Sequence, residues 1–502
     1  MKTYDDLIKV REKEDYVALT NFLLDAIAEH KSSPLYKEAY TAYQYMRKRN
    51  ETILKFQKML YKMSGEAVAD QWSANYKLRN TFFPYFAVQE VQHLLGNGVQ
   101  FENKQTKEKL GGNKFDNQLV KLGKAAVWGG VSFGFYNLDH VDDFNILEFV
   151  PLIGEEDGGL HAGIRFWQID DKKPLRMTLY EEDGYTEYIR RPKIKDKERP
   201  VEILQEKKPY KVKVAKTGDS EAEIIDGENY DGFPIVPLWA NDEHQSEFEG
   251  LQEKIDCYDL IQSGFANDLD DASHIYWLIH NSGGMDDVDL AKFIERMKTV
   301  RAAYVDEDGS TAEAHTIEVP YQARKVALED LKESLFRDAM ALDTDSIANG
   351  NITATGIRAA YERLTHKCDG FETNVTDFIY GILELAGIDD SPVYKRSLIV
   401  NQAEETQVVL SAAQYLDDET ILKHLPFLNP DEVDDILGRL EKEEADRYEE
   451  EEPVEEEAEA SEPVEEEEPD TSDIEETGDF TNDLFDDLEK TLTKMLDDLL
   501  KD

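Results

Sequence analysis

Two stretches, Glu247–Leu269 (EFEGLQEKIDCYDLIQSGFANDL) and Pro320–Leu342 (PYQARKVALEDLKESLFRDAMAL), decide how this chain is read. In the first, Phe248, Leu251, Ile255, Tyr258, Ile261, Phe265 and Leu269 return every three or four residues, which predicts one long helix with an apolar stripe. In the second, Pro320 opens a helix bearing Leu328, Leu331, Leu335, Ala339 and Leu342. Between them, 275–320 reads as a compact α/β insert. It holds an apolar run Ile275–Ile279, a Ser282-Gly283-Gly284 turn, a charged helix near Leu290–Met297, and strands around Ala302–Val305 and His315–Val319. A third helix, from about Thr355 to Leu385, keeps its apolar step through Ile357, Tyr361, Leu364, Cys368, Phe371, Val375, Phe378, Ile382 and Leu385. A polar loop, Asp345 to Thr353, joins the second helix to the third. Three long helices around one insert and one small loop are an unusual plan for a globular enzyme.

Outward from this centre, residues 1–100 read mainly as helix, with Leu19, Phe22, Leu23 and Ile27 on one face and a later helix through Phe82, Phe86, Val91 and Leu95. That helix stops at Gly96-Asn97-Gly98, and a shorter one follows around Phe115–Val127. From about Val131 to Leu238 the pattern turns to short β-rich runs: Val131–Asn137, Ile164–Gln168, Leu175–Tyr180, Tyr185–Arg190 and Tyr210–Val214. Asp183-Gly184 suits a tight hairpin, so an antiparallel sheet region is predicted. After a strand at Ser397–Asn401, a helical unit from about 402 to 442 is broken at Pro426 and Pro430. Beyond Glu441 a Glu/Pro/Ala run has too little apolar surface to offset chain entropy, so an acidic linker at 443–480 is expected to be disordered. At 481–502, Thr481 caps a helix with Leu484, Phe485, Leu488, Leu492, Met495, Leu496 and Leu499 on one face.

Composition sets limits on function. The 502 residues suffice for about three domains at ~150 residues each. Acidic residues number 108 against 56 basic, a net charge of -52, which argues against holding nucleic acid by broad phosphate neutralisation. The last 62 residues hold 29 acidic and 5 basic residues, so the excess is concentrated at the end. Cys257 and Cys368 both fall in helical apolar patterns and read as small buried residues in a reducing compartment, not as a disulfide framework. The start lacks a signal-peptide pattern and no apolar run reaches eighteen residues, so neither secretion nor a membrane span is expected.

The searched-for chemistry is thin. Gly111-Gly112-Asn113-Lys114 has phosphate-loop residue types at the wrong spacing, and no H-E-x-x-H occurs. His274 and His280 lack partners at metal-ligand spacing. Asp268, Asp270 and Asp271, and Asp286, Asp287 and Asp289, read as solvated faces and helix-start charges; the rival reading is a magnesium-dependent nuclease. No catalytic, cofactor or metal residue is assigned, and no cofactor is expected. Lys292, Arg296, Lys298 and Arg301 in the insert, and Arg324, Lys325, Lys332 and Arg337 on the helix after Pro320, cluster beside Glu329, Asp330 and Glu333. Singly they read as salt-bridging partners; together they could face a polyanion or an acidic partner.

The order of parts resembles the portal family of long-tailed phages of Gram-positive bacteria, over most of residues 40–442. Asn75-Tyr76-Lys77-Leu78-Arg79-Asn80 with Phe82 and Phe83, then His93-Leu94-Leu95-Gly96-Asn97-Gly98-Val99, resembles the family's N-x-K-[IL]-x-N-x-[FY] and Y-L-L-G-x-P-V segments, with Gly98 in place of proline. Phe233 to Asn241, running into Ile255-Asp256-Cys257-Tyr258-Asp259 and Asn267-Asp268, resembles the strand-to-stem junction. Gly350-Asn351-Ile352-Thr353-Ala354-Thr355-Gly356-Ile357 is similar to the entry to the long helix, and Thr420 to Leu428 to the crown segment.

The resemblance implies an α+β, mainly helical portal fold assembled as a ring of about twelve subunits around a DNA-wide tunnel. The wing would be 1–244, the stem helices 245–274 and 321–343, and the clip 275–320. The tunnel loop would be 344–354, the long kinked helix and its return to the wing 355–401, and the crown 402–442. It implies a DNA-facing loop through Asp345, Ile347, Asn349 and Asn351, with Lys292, Arg296, Lys298, Lys325 and Lys332 facing the channel or a partner. Implied partners are further copies of the chain, double-stranded DNA, the terminase large subunit, the head–tail adaptor, and the major capsid and scaffolding proteins, with no membrane. Its place would be the portal vertex of the virion, after synthesis in the host cytoplasm. The second rival is a ring-forming head–tail connector that does not gate DNA.

Overall fold

The computed structural model describes residues 1–272 apart from 63, 72, 195–196, 198 and 216–222, then 276–280, 311–315, 321–344, 354–396 and parts of 406–442. Two compact units divide the chain, residues 1–408 and 409–502. In the second, the described residues include a short 3-10 turn at Ala413–Tyr415 and a helix at Asp418–His424, whose first turn is capped by Asp417 accepting from the Thr420 N–H.

The first unit begins with α1 (Tyr4–Arg11), α2 (Tyr16–Ser32) and α3 (Pro34–Met46). Local chemistry starts each one: Thr3 and Asp6 form a reciprocal capping box, Asp15 caps α2, and Ser33 followed by Pro34 opens α3. After α4 (Glu51–Lys55) a small hairpin, β1 (Met59–Tyr61) and β2 (Ala67–Ala69), interrupts the helical region. Its turn closes on Gly65, at φ +81°, within a region that reads mainly as helix in the sequence. Next come α5 (Phe82–Leu95), β3 (Val99–Phe101), α6 (Lys104–Lys109) and α7 (Asn113–Gly129).

The predicted β region is present and antiparallel. Strands β4 (Val131–Asn137), β5 (His140–Asn145) and β13 (Ile235–Trp239) form a three-stranded sheet in the order β13-β4-β5. Strands β6 (Phe149–Ile153), β7 (Leu160–Trp167), β8 (Leu175–Glu181), β9 (Gly184–Arg190) and β10 (Val201–Lys208) form a five-stranded meander. The β8–β9 hairpin closes with Glu181 opposite Gly184. A two-stranded ribbon, β11 (Lys211–Ala215) with β12 (Glu223–Glu228), follows.

Three long helices then appear where periodicity placed them: α8 (Gln252–Ala272), α9 (Tyr321–Asp338) and α10 (Ala354–Ala386). Of the insert between α8 and α9, β14 (Tyr276–His280) pairs antiparallel with β15 (Thr311–His315). The described strand meets the expected His315–Val319 at His315; residues 316–319 lie outside the described residues. The expected strand at Ala302–Val305 and the helix near 290–297 lie outside the described residues. A short β16 (Pro392–Tyr394) pairs with β3, just before the expected strand at 397–401, which is also outside them.

The larger core gathers α3, α5, α7 and α10 around the three-stranded sheet. Six of the seven β4 residues are buried, because α7 and α10 cover that sheet. Gly134 is the point of closest approach: a Cβ there would lie 2.5 Å from the Phe378 ring. A second core packs α1 and α2 on the five-stranded sheet through Leu19, Phe22, Leu23, Ile164 and Leu179. Among the described residues the fold is a mixture of helix and sheet, about half of it helical.

Candidate functional site at the stem-helix junction

Helix α8 departs from its expected stripe. Its most buried line runs at four-residue spacing through Leu251, Ile255, Asp259, Ser263 and Asn267, and the last three are polar. Leu269, expected on the apolar face, is half exposed. Cys257, expected to be buried, is exposed because it sits two residues off this line, on the opposite side of the helix; Cys368 is buried as expected, and burial followed by the Glu90 charge pushes its thiol up to about 12.

The polar line holds an extended segment that has no partner strand. Asp259 Oδ1 accepts from the Asn80 backbone N–H at 2.9 Å and from Asn80 Nδ2 at 2.7 Å. Ser263 Oγ accepts from the Leu78 N–H at 3.0 Å, and Asn267 Oδ1 accepts from the Tyr76 N–H at 2.7 Å. The register has a metric reason. Four helical residues advance about 6 Å, close to the ~6.6 Å of two strand residues, so every fourth side chain of α8 meets every second backbone N–H of 76–80. Asn50 Nδ2 adds a bond to the Asn80 carbonyl at 3.1 Å and another to Asp259. Burial raises the Asp259 carboxyl above its ordinary range, opposed by the bonds from Asn80 and Asn50. One turn earlier, Asp256 accepts from Thr52 Oγ1 at 2.7 Å and from the Tyr45 hydroxyl.

Helices α8 and α9 lie side by side. Arg324 pairs with Asp268, and Lys254 with Asp338; Lys254 Nζ also donates to Ser334 Oγ at 2.9 Å. Phe336 of α9 packs edge-on against Phe86 of α5, ring centroids 5.1 Å apart, and Phe82 packs against Tyr258 at 5.0 Å.

Beyond the end of α9, the chain is held at Leu342. The Leu342 N–H donates to Gln89 Oε1 at 2.8 Å, while the Leu342 carbonyl accepts from Tyr85 OH and Gln89 Nε2, each at 3.0 Å. The Leu342 side chain is buried with Tyr361, Leu364 and Cys368 of α10. Tyr361 in turn stacks on His93 of α5, centroids 5.6 Å apart. The described segments flanking residues 345–353 are thus tied to α5 and to each other.

A buried ion cluster sits behind this tie. Lys367 Nζ of α10 lies 2.8 Å from a Glu90 oxygen on α5 and 2.9 Å from a Glu247 oxygen just before α8, and donates to the Ala339 carbonyl after α9 at 3.3 Å. Glu90 is 2% exposed and Lys367 12%. Burial pushes the Glu90 carboxyl up to about 7 against the pull of Lys367. Burial lowers the Lys367 ammonium less than Glu90 and Glu247 raise it, so it stays above its ordinary range. Four elements therefore converge on one cation.

The sequence-assigned residues divide as follows. Lys332 pairs with Asp343 at 3.0 Å and sits over the Phe336 ring, tying α9 to the segment that leaves it. Lys325 makes an exposed pair with Glu329 at 3.7 Å. Asp345, Ile347, Asn349, Asn351, Lys292, Arg296 and Lys298 lie outside the described residues. Sequence reading missed Glu90, Glu247 and Lys367 as a cluster, because they are far apart in the chain. It quoted Asn80, Asp259 and Asn267 only within family-like segments; the signal was present as a polar i, i+4, i+8 line inside an amphipathic helix. Among the described residues no group of three or more His, Cys, Asp or Glu side chains could hold a metal ion, and no helix is long and apolar enough to cross a membrane.

A family model described as phage portal protein, SPP1 Gp6-like, matches residues 28–458. The portal protein of Clostridium phage phiCD119 is 29% identical over 223 residues, 42% of this chain and 49% of that protein. The chain thus spans about half the length of that relative. The portal protein of Bacillus phage SPP1 is 22% identical over 470 residues, 88% of this chain and 89% of the other. Among solved structures, the neck of a native GTA particle determined with C12 symmetry aligns at a TM-score of 0.40 and 12% identity, covering 70% of this chain and 90% of that one. The neck of an empty GTA particle, with C6 symmetry, aligns at 0.38 and 11%, covering 68% and 88%.

Proposed function

The chain belongs to the SPP1 Gp6-like family of phage portal proteins, and from that membership we propose that it assembles into a closed ring at one vertex of the capsid, through which double-stranded DNA is packaged and ejected. The wing, stem, clip, tunnel loop, long helix and crown take the bounds given above. The terminase motor and later the head–tail adaptor dock on the clip, and the chain itself catalyses nothing.

The observation that carries this reading is the clamp on the polar loop. Residues 345–353 leave and re-enter two long helices that Leu342, Tyr361, Gln89 and Lys367 fix to one another. The uncharged stretch 346–353 on so firm a base can touch a passing duplex weakly and repeatedly without distorting the ring. The net charge of -52 supports the same job, because an acidic wall repels phosphates and leaves DNA centred and mobile, whereas a cationic wall would hold it by counterion release.

Negative-stain images of the purified full chain are expected to show rings with a central channel; solid or purely monomeric particles would count against the reading. Asn349→Ala with Asn351→Ala is expected to leave rings intact while reducing packaged DNA at least several-fold. Normal packaging and retention by that variant would remove the loop from the DNA path.

A further inference from the structure

Residues 47–79 contain eight Lys or Arg against three Asp or Glu, a net charge of +5 inside a chain of -52. This basic segment carries the β1–β2 hairpin, and the hairpin is open on both faces. Met59, Leu60 and Tyr61 are exposed, Tyr61 at 77%, as are Leu54 and Phe56 on the way in. Two strands of three residues cannot hold themselves in water; such hairpins need a third strand or an apolar surface to pack on. The root of the hairpin, in contrast, is anchored: Ile53 is buried, Thr52 donates to Asp256, and the returning chain is held at Tyr76, Leu78 and Asn80 by α8. An arm with a fixed base and an unpacked apolar strand is built to lie on something else.

We propose that residues 54–70 form a docking arm that seats on a second copy of this chain. The inference rests on the ring reading and deepens it by naming the element that joins neighbours. Charge favours this occupant, since the arm rises from a segment of net +5, with Arg47, Lys48, Arg49, Lys77 and Arg79 at its root and Lys55, Lys58 and Lys62 on the arm against Glu66 and Asp70, and every other copy is strongly acidic. The exposed part of α8 and α9 offers matching chemistry, with Leu269, Tyr321 and Val326 exposed among Glu329, Asp330 and Glu333. A duplex is the poorer match: it would satisfy the lysines but leave five apolar side chains in water.

The test compares the full chain with Leu60→Ser/Tyr61→Asp, both at exposed positions, by mass photometry over a concentration series, with thermal melting as the check on folding. The variant is expected to melt as the parent does and to need at least tenfold more protein for half-assembly. If the parent assembles and the variant assembles identically, the arm is not the joint and the ring reading stands; if the parent never assembles, both fall. A Lys55→Glu/Lys62→Glu variant that forms rings as the parent does but loses duplex retention in a mobility-shift assay would make the arm a DNA surface and overturn the proposal.

Discussion

At the scale of single residues, the Lys367 cluster is the point most sensitive to change. Removing one partner of a buried pair leaves the other charge uncompensated, which costs about 3–5 kcal/mol. Lys367→Met, which strands Glu90 and Glu247, is therefore expected to lower the melting temperature sharply. The pH dependence has a definite sign. A Glu90 carboxyl raised to about 7 when folded binds a proton that the unfolded chain, near 4.5, has already lost. Its contribution to stability is present below that lower value and disappears as pH rises through about 7. Glu90→Gln should flatten this component, so the difference in melting temperature between variant and parent grows in the variant's favour from pH 5 to 8; a constant difference would show that Glu90 does not titrate there. Asp259→Ala removes the acceptor of one Asn50 and two Asn80 bonds, of which the Asn50 bond is buried, and is expected to cost about 1–3 kcal/mol. Chemical denaturation should register the loss.

Among the elements, α8 and β4 show how much of the fold local pattern could convey. The three long helices were legible because apolar residues keep the helical step for 20–30 positions. Which side of α8 is buried was not, since Asp259, Ser263 and Asn267 look like solvent-facing residues until the segment 76–80 is laid against them. The hairpin at 59–69 was missed for a related reason: it is short and unpacked, so no alternation of buried and exposed positions marks it. Strand β4 was located to the residue, yet nothing local says that Gly134 faces Phe378. Gly134→Ala is expected to push α10 from the sheet and destabilise by about 1–3 kcal/mol, measured as a shift in denaturation midpoint, whereas Gly232→Ala, where a Cβ meets nothing within 4 Å, should be close to neutral.

For the whole molecule, assembly and charge are the governing terms. The acidic run 443–480 has too little apolar sequence for a core, and its charge is expected to add repulsion and solubility. Deleting 443–502 is therefore expected to leave ring formation intact; loss of rings on deletion would give that segment a structural part in assembly. Raised salt should weaken any joint made by the basic segment 47–79 on an acidic neighbour, since screening shortens to about 3 Å at 1 M. Half-assembly concentration measured against ionic strength checks this, with a rise expected.

By itself the sequence determined where the long helices, the antiparallel region and the acidic end lie, and its ordered motifs pointed to the portal family, because hydrophobic period and turn chemistry act over a few residues. The tertiary structure alone decided that Lys367 gathers Glu90 and Glu247, that α8 reads a lone strand through a polar line, and that both sides of the loop at 345–353 are held. Those outcomes depend on residues hundreds of positions apart meeting in a low-dielectric interior, where pairing becomes obligatory only once the chain has closed around them.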